Sequence, residues 1–450
     1  MHLSLKPKIF VCREYMLWGS LLAISVWSIA ELASAAVDSN SRYCPLEAEY
    51  LFYSTIIFTL FYFAFQLISA FFSRRWKEKN GVVPACTVII PAYNEGKDVV
   101  TTLETILASD IPENDLQIIA VNDGSQDDTL HHLQYCSARH PGRITIIDLP
   151  CNGGKKHALY TAIKQAGNEF IVTVDSDSVV EKDTIRLLLR PFCHPETGAV
   201  AGAIYKKRQA ENFLVRLFDV MLVFNCGLLR NAQSLFGNVF CTPGALSAYR
   251  KSAIMPVLDE WLDQSFLGTP SKIGEDRAIA TLLLRSNWRI EYQSAACAET
   301  SLPADYSGMC RTLLRWTRSD IRENILMTPF VLRKLKQPDR RSLNLFIHWF
   351  LLSINIILPL VMLPAALFFI FSQKSISFCL AVIIISTLIS SLIPAAVYWQ
   401  KRRNFREMIW AFVFGFFSQA ALSWISIYSL FTLKNSDWLT RKLPHSRKRK

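Results

Sequence analysis

No Cys-x-x-Cys pair, no zinc-finger spacing and no mid-chain basic tract interleaved with aromatics occur in this 450-residue chain. Metal-finger folds drop out on that ground, and nucleic acid ranks last among the partners that a net charge of +12 would suit. The 11 cysteines, Cys86, Cys136, Cys193, Cys226 and Cys297 among them, are dispersed and odd in number. Such a set reads as reduced thiols facing the cytosol rather than as a disulfide framework. Charge is scarce too. At 19% charged and 51% hydrophobic the chain is too apolar for a purely soluble protein, yet too charged for membrane helices alone. The mixture implies a soluble domain inserted into a membrane protein, so a bilayer surface or an anionic substrate is the partner the positive charge suits.

Two apolar stretches open the chain, from about Tyr15 to Val37 and from Tyr50 to Phe72, each about bilayer length. The first also reads as a cleaved leader, with "KPK" before it and "ASAA" near Ala33. Either way, the basic "SRRWKEK" after Phe72 places the next segment on the cytoplasmic side. Apolar stretches return at Leu345 to Phe371, Phe378 to Trp399 and Ile409 to Leu433, before the basic tail "TRKLPHSRKRK". Three full spans would leave that tail outside, against the positive-inside tendency. The last stretch is therefore expected to be broken, as a re-entrant hairpin or an interfacial helix with a partial span. The resulting division is a membrane region over 1–80 with two transmembrane helices, a cytosolic domain over 81–335 with interfacial helices, and a membrane region over 336–450. The expected location is multi-pass in the inner (plasma) membrane.

Between about Val83 and Asn324, short β-branched runs alternate with helical patterns: "CTVIIPAYNE", "LQIIAVNDGS", "RITIIDL", "EFIVTVDSDS". This alternation predicts an α/β domain with a mainly parallel sheet, whose ligands sit off the carboxyl ends of its strands. "IVTVDSDSVV" then raises a question: a buried strand ends in Asp175 and Asp177. In extended chain, residues two apart face one space, so both carboxylates would look into it; a polar strand end turning to solvent is the alternative. "VIIPAYNE" and "VNDGSQDDT" are further polar strand ends, and Asp123 suits a nucleotide hydroxyl or base N–H. "NGGKKHAL" sets Lys155 and Lys156 at a helix start suited to phosphate, or else as a solvated pair. A cation on Asp175 and Asp177 would bridge a diphosphate. In "IGEDRA", Glu275, Asp276 and Arg277 precede a helix; the acids satisfy its dipole or supply a base for a sugar hydroxyl. "LLRWTRS" offers Arg315 as a diphosphate grip and Trp316 as a sugar platform, unless the indole is core.

In this order, together with "RNAQSLFGNVF", "TPGALSAYR", "FLGTPSKIGEDR" and "IYSLFTLKNSDWLTRK", these motifs resemble the processive family 2 glycosyltransferases. Among them the bacterial hyaluronan synthases stand nearest, then the rhizobial chitin-oligosaccharide synthases. The resemblance implies a cytosolic α/β domain of GT-A type inserted between N-terminal and C-terminal transmembrane α-helices. It implies that Ala92, Tyr93, Glu95 and Asp123 line the UDP-sugar, with Asp123 at the uridine and Lys155 and Lys156 near the phosphates. Asp175 and Asp177 would carry Mg²⁺ or Mn²⁺. Asp276, flanked by Glu275 and Arg277, would be the general base. Gly244, Tyr249 and Arg250 would form the acceptor-side loop, and Arg315 and Trp316 the Arg-Trp of the family's Gln-x-x-Arg-Trp. The implied activity is inverting β-transfer from UDP-sugars to a growing polysaccharide that the enzyme extrudes, with hyaluronan as the expected product type. Chitin oligosaccharide is the alternative product. A non-catalytic membrane scaffold that kept the fold is a further alternative, opposed by the intact acids. "ENFLVRLFDVMLVFN" would be an interfacial helix.

Four positions depart from the pattern: Thr312 stands at the Gln of Gln-x-x-Arg-Trp, Asn122 where an aspartate is usual, "TPGA" for Ser-Gly-Pro, and Glu275 as in the chitin enzymes.

Overall fold

The computed structural model describes residues 60–73, 83–207, 212–337, 339–372 and 376–436. The apolar stretch from Tyr15 to Val37, the start of the second one and the basic tail lie outside them. The chain divides into two compact units, one of Arg74–Asp219, Phe236–Trp349 and Tyr428–Lys450, the other of Met1–Ser73, Val220–Leu235 and Phe350–Ile427.

The first unit is built on an eight-stranded sheet in the order β3-β2-β1-β4-β7-β6-β10-β5. Its strands are β1 (Cys86–Ala92), β2 (Leu116–Asn122), β3 (Ile144–Asp148), β4 (Phe170–Thr173), β5 (Val179–Val180), β6 (Thr197–Lys206), β7 (Ser247–Arg250) and β10 (Arg289–Thr300). β8 (Ser265–Phe266) and β9 (Thr269–Pro270) form a separate ribbon. All seven residues of β1 are buried, as a strand covered on both faces requires. β3, β2, β1 and β4 run parallel. β7 then runs against both β4 and β6, so the sheet is mixed rather than mainly parallel throughout. The edge strand β5 pairs antiparallel with β10. Helices α2 (Asp98–Leu107), α3 (Thr129–Arg139) and α4 (Lys155–Gln165) follow the first three strands. α2 buries Val99, Thr102, Leu103 and Ile106, spaced i, i+3, i+4 and i+7, so one stripe faces the sheet. Further along come α5 (Thr184–Leu189), α6 (Phe213–Phe224), α7 (Glu275–Arg285) and α8 (Tyr306–Lys334).

Within α6, Val215, Leu217, Phe218, Asp219, Val220, Leu222 and Val223 are buried, and Phe213 is exposed.

In the other unit, the helix α1 (Leu60–Phe72) contributes Ala70 to a cluster with Leu228, Ala232 and Ile393. α9 (Arg340–Ser372) and α10 (Ile376–Arg402) fall on the apolar stretches read from the sequence. α11 (Ile409–Phe417) and α12 (Ser423–Phe431) are joined by a π-helical turn at Ser418–Leu422. The expected break is therefore not a chain reversal: helical backbone runs from Phe405 to Phe431, and the wide turn is absorbed within it. Among the described residues this 27-residue segment is the one long and apolar enough to cross a membrane. Gly415 lets it approach α10, since a Cβ there would lie 2.0 Å from Ser391 Oγ.

Candidate active site

The carboxyl ends of β1, β2 and β4 open on one edge of the sheet, and their loops are stitched together. Asn94 adopts φ 51°, a left-handed conformation that asparagine tolerates. Its amide meets Ser125 Oγ at 3.1 Å, and its Oδ1 accepts from the Gln126 amide at 2.8 Å. The amides of Glu95 and Gly96 both donate to Thr129 Oγ1, at 2.8 and 2.9 Å. The Glu95 carboxylate in turn accepts from Ser176 Oγ at 2.8 Å, which places it beside the turn between the two aspartates. Ala92 and Tyr93 are buried, and the Ala92 carbonyl is taken by the Asp123 amide at 2.9 Å.

Asp123 is 3% exposed and spends both carboxylate oxygens on the next loop, accepting from the amides of Gly153 at 2.8 Å and Gly154 at 2.9 Å. Burial pushes its pKa up against those two amides and the charge of His157. Gly124 is obligatory beside it: φ is 64° and a Cβ would sit 2.5 Å from the Cys151 carbonyl carbon. Asp123 thus anchors the glycine turn that launches α4. The preceding Asn122 donates from Nδ2 to Asp148 Oδ1 at 2.7 Å and accepts from the Ser125 amide at 3.2 Å. An aspartate there would face another carboxylate, which accounts for this departure. Asn122→Asp is expected to cost about 1–3 kcal/mol of stability. The thermal midpoint should fall, and Asp148→Asn in the same chain should restore it; an unshifted midpoint would contradict this account.

The two lysines diverge, because neighbours on a helix point about 100° apart. Lys155 forms an ion pair with Asp175 and lies 3.3 Å from Glu275 Oε1. Burial lowers its pKa, but Asp175 and Glu275 outweigh it and the net shift is upward. A Cβ at Gly244 would stand 2.2 Å from the Lys155 ammonium, so a side chain there would compete for its place. Lys156 turns the other way. It donates to the Ser271 carbonyl at 3.3 Å and lies over the Trp261 ring at 5.4 Å, and burial lowers its pKa to about 8.

β4 ends at Thr173, and the Ser178 amide closes a turn on the Asp175 carbonyl at 3.0 Å. The extended geometry expected of Asp175 and Asp177 is therefore replaced by a turn, and the two-apart argument does not apply. Asp175 faces Lys155 and Gly244. Asp177 accepts from Thr300 Oγ1, at the end of β10, at 3.4 Å. Among the described residues no three His, Cys, Asp or Glu side chains gather as a metal site. Two carboxylates on one turn still fit a hard divalent cation whose remaining ligands are substrate phosphates. Asp175, half-buried, already meets one positive charge in Lys155.

Glu275 and Asp276 form the first turn of α7 behind Gly274, which has φ 78°. A Cβ on Gly274 would fall 1.8 Å from Ser319 Oγ on α8, so only glycine fits. Asp276 Oδ1 accepts from the Arg277 amide at 2.8 Å, and Cys241 Sγ donates to Oδ2 at 3.5 Å. Burial, then Glu275, push the Asp276 pKa up to about 6, while Lys155, the Arg277 amide and Arg315 pull it down. Arg315 is thus electrostatically in the site. Trp316 is half-buried, edge-on to Phe218 at 5.6 Å.

Asp175, Lys155, Glu275 and Asp276 thus meet from three separate segments, with Gly244 against Lys155. Arg277 and Arg250 stand outside the cluster as packing residues. Arg277 is 2% exposed, donates to the Phe240 carbonyl at 2.6 Å and pairs with Asp320 at 3.4 Å. Arg250 lies at the opposite end of β4, paired with Phe170, and donates to the carbonyls of Thr197 and Phe192. Tyr249 is buried with its hydroxyl 3.0 Å from Thr242 Oγ1. The residues that sequence reasoning missed are Ser176 and Cys241, which bond to the carboxylates of Glu95 and Asp276, and Thr242, which bonds to the main-chain carbonyl of Asp276; the glycine before "EDR" was the one local signal of a special backbone.

The mixed α/β sheet, with acids at its strand ends, is a fold of GT-A type. Residues 87–258 match the family described as "Glycosyl transferase family 2". A curated N-acetylglucosaminyltransferase of Azorhizobium caulinodans is 30% identical over 367 residues, covering 80% of this chain and 88% of the relative. Another, from Rhizobium meliloti, is 31% identical over 369 residues, covering 80% of this chain and 82% of the relative. The chain belongs to glycosyltransferase family 2 and is a glycosyltransferase. The solved mannosyltransferase PcManGT of Pyrobaculum calidifontis, in complex with GDP-Man and Mn²⁺, shares the fold at a TM-score of 0.51 and 18% identity. That match covers 82% of this chain and 98% of the mannosyltransferase.

Proposed function

We propose that this chain is a membrane-embedded, inverting β-N-acetylglucosaminyltransferase that builds chitin-type oligosaccharides from UDP-GlcNAc. The reading rests above all on the meeting of Asp175 and Asp276 through Lys155. The names of the rhizobial relatives and the Glu-Asp-Arg form of "IGEDR" favour chitin oligosaccharide over the hyaluronan type expected from the motifs.

In this mechanism an acceptor hydroxyl attacks the anomeric carbon, Asp276 takes its proton, and the bond from that carbon to the diphosphate oxygen breaks with its electron pair leaving on UDP. Asp276 is suited to the task because its buried carboxylate is more basic than a solvated one. Lys155 neutralises Asp175 and Glu275 while no donor is bound, and trades part of that pairing for the donor's diphosphate. Mg²⁺ or Mn²⁺ held by Asp175 and Asp177 would supply charge neutralisation on the departing diphosphate. Asp123 acts on the nucleotide through the loop it anchors, and Arg315 and Trp316 serve the diphosphate and the sugar. The catalytic domain, residues 81–335, lies in the cytoplasm between membrane regions 1–80 and 336–450, and the product leaves through the membrane region.

Membranes carrying the protein, incubated with UDP-GlcNAc alone, should release UDP and yield a chitinase-sensitive product. A product formed only when UDP-GlcA is added, and cut by hyaluronidase, would move the reading to the hyaluronan type. No UDP release under either condition would remove the enzyme reading of this site.

A further inference from the structure

The base turn of α7 is tied to the centre of the sheet by hydroxyls that contact no carboxylate. Thr242 is 0% exposed, and its Oγ1 donates to the main-chain carbonyl of Asp276 at 3.0 Å. A hydroxyl has one proton to give, so the second bond of Thr242 is an accepted one. Its donor is the Tyr249 hydroxyl, at 3.0 Å. Tyr249 lies on β7 in register with Ile171 of β4 and Ala199 of β6. β4 is the strand whose end leads into Asp175. The relay from Tyr249 through Thr242 to Asp276 therefore measures α7 against the same strand that delivers the donor-side acid.

We infer that Thr242 and Tyr249 are positioning residues that set the distance between the Asp276 carboxylate and the reacting sugar. Both are buried and bonded to protein groups. Tyr249, which the family pattern places on the acceptor-side loop, is the deep end of the relay, and Thr242 its link. This rests on the reading of Asp276 as the base. The physical argument is one of placement: a shift of about 1 Å in a reacting group costs about a hundredfold in rate, whereas donor binding, made on other residues, is left alone.

Thr242→Val keeps the volume and removes the hydroxyl. It is expected to lower kcat for UDP release about tenfold to a hundredfold, with the donor KM moved by less than about threefold. Thr242→Ser should restore most of the lost rate, because the hydroxyl returns. Tyr249→Phe should give a smaller loss of the same kind, and thermal unfolding of the detergent-solubilised proteins checks that all remain folded. A Thr242→Val enzyme with wild-type kcat overturns the relay. So does a Thr242→Ser enzyme as slow as Thr242→Val, or a loss that falls on donor KM instead of kcat. Asp276→Asn in the same assay separates the two readings. If it is inactive while Thr242→Val is unimpaired, the relay alone fails; if it is active, the base assignment fails and the relay with it.

Discussion

An Asp276→Asn enzyme is expected to transfer sugar about a hundred- to ten-thousand-fold more slowly than the wild type, with its donor KM within about threefold. The amide keeps the shape and still accepts from the Arg277 amide, but it takes no proton from the acceptor. Because the group works only when ionised, wild-type kcat should be flat above neutrality and fall as pH drops through about 6, where burial and Glu275 hold this carboxyl. UDP release at saturating donor, measured across pH, tests both parts. A near-wild-type rate in the variant would remove Asp276 as base, and an acid limb near pH 4 would contradict the environment described for it.

The second large effect concerns Gly274, the glycine at the start of α7. Gly274→Ala should destabilise the catalytic domain by about 2–5 kcal/mol, combining left-handed strain of about 1–2 kcal/mol with overpacking of about 1–3 kcal/mol. The overlap is severe because a Cβ at this position would meet both Ser319 Oγ, at 1.8 Å, and Ser319 Cβ, at 2.5 Å. Ser319→Gly in the same chain should return part of the loss by clearing those atoms, leaving the φ strain and about 1 kcal/mol for a glycine inside α8. Thermal unfolding of the solubilised protein reads this directly. An alanine variant as stable as the wild type would mean that α7 and α8 do not approach as described.

Sequence reasoning reached the strand ends, because a fully buried strand such as β1 must be apolar along its length and can turn polar only where it stops. It reached the acid pair before α7 for a similar reason, since a helix start both attracts carboxylates and displays them. It did not separate Lys155 from Lys156, whose types are identical and whose surroundings are not: one faces two carboxylates, the other an indole and a carbonyl. Nor did it recognise Arg250 and Arg277 as packing groups, because their partners are main-chain carbonyls, which leave no mark on residue type. The turn that replaced extended chain at Asp175 is closed by the Ser178 amide bonding back, and β5, which pairs with the distant β10, begins directly after it. Thr242 was invisible for the same reason as the arginines. It acts on a carbonyl 34 positions away.

The short edge strand carries one last consequence. β4 and β5 stand four places apart in the sheet order, yet only residues 174–178 connect them. Four interstrand spacings come to about 19 Å, nearly the full reach of so short a link when taut. This link is not taut, because it is folded into a turn. The sheet must therefore roll its two halves toward each other, with the aspartate turn acting as the tie that sets how far it closes. Lengthening that tie would uncurl the sheet around the aspartate turn even if both acids were kept.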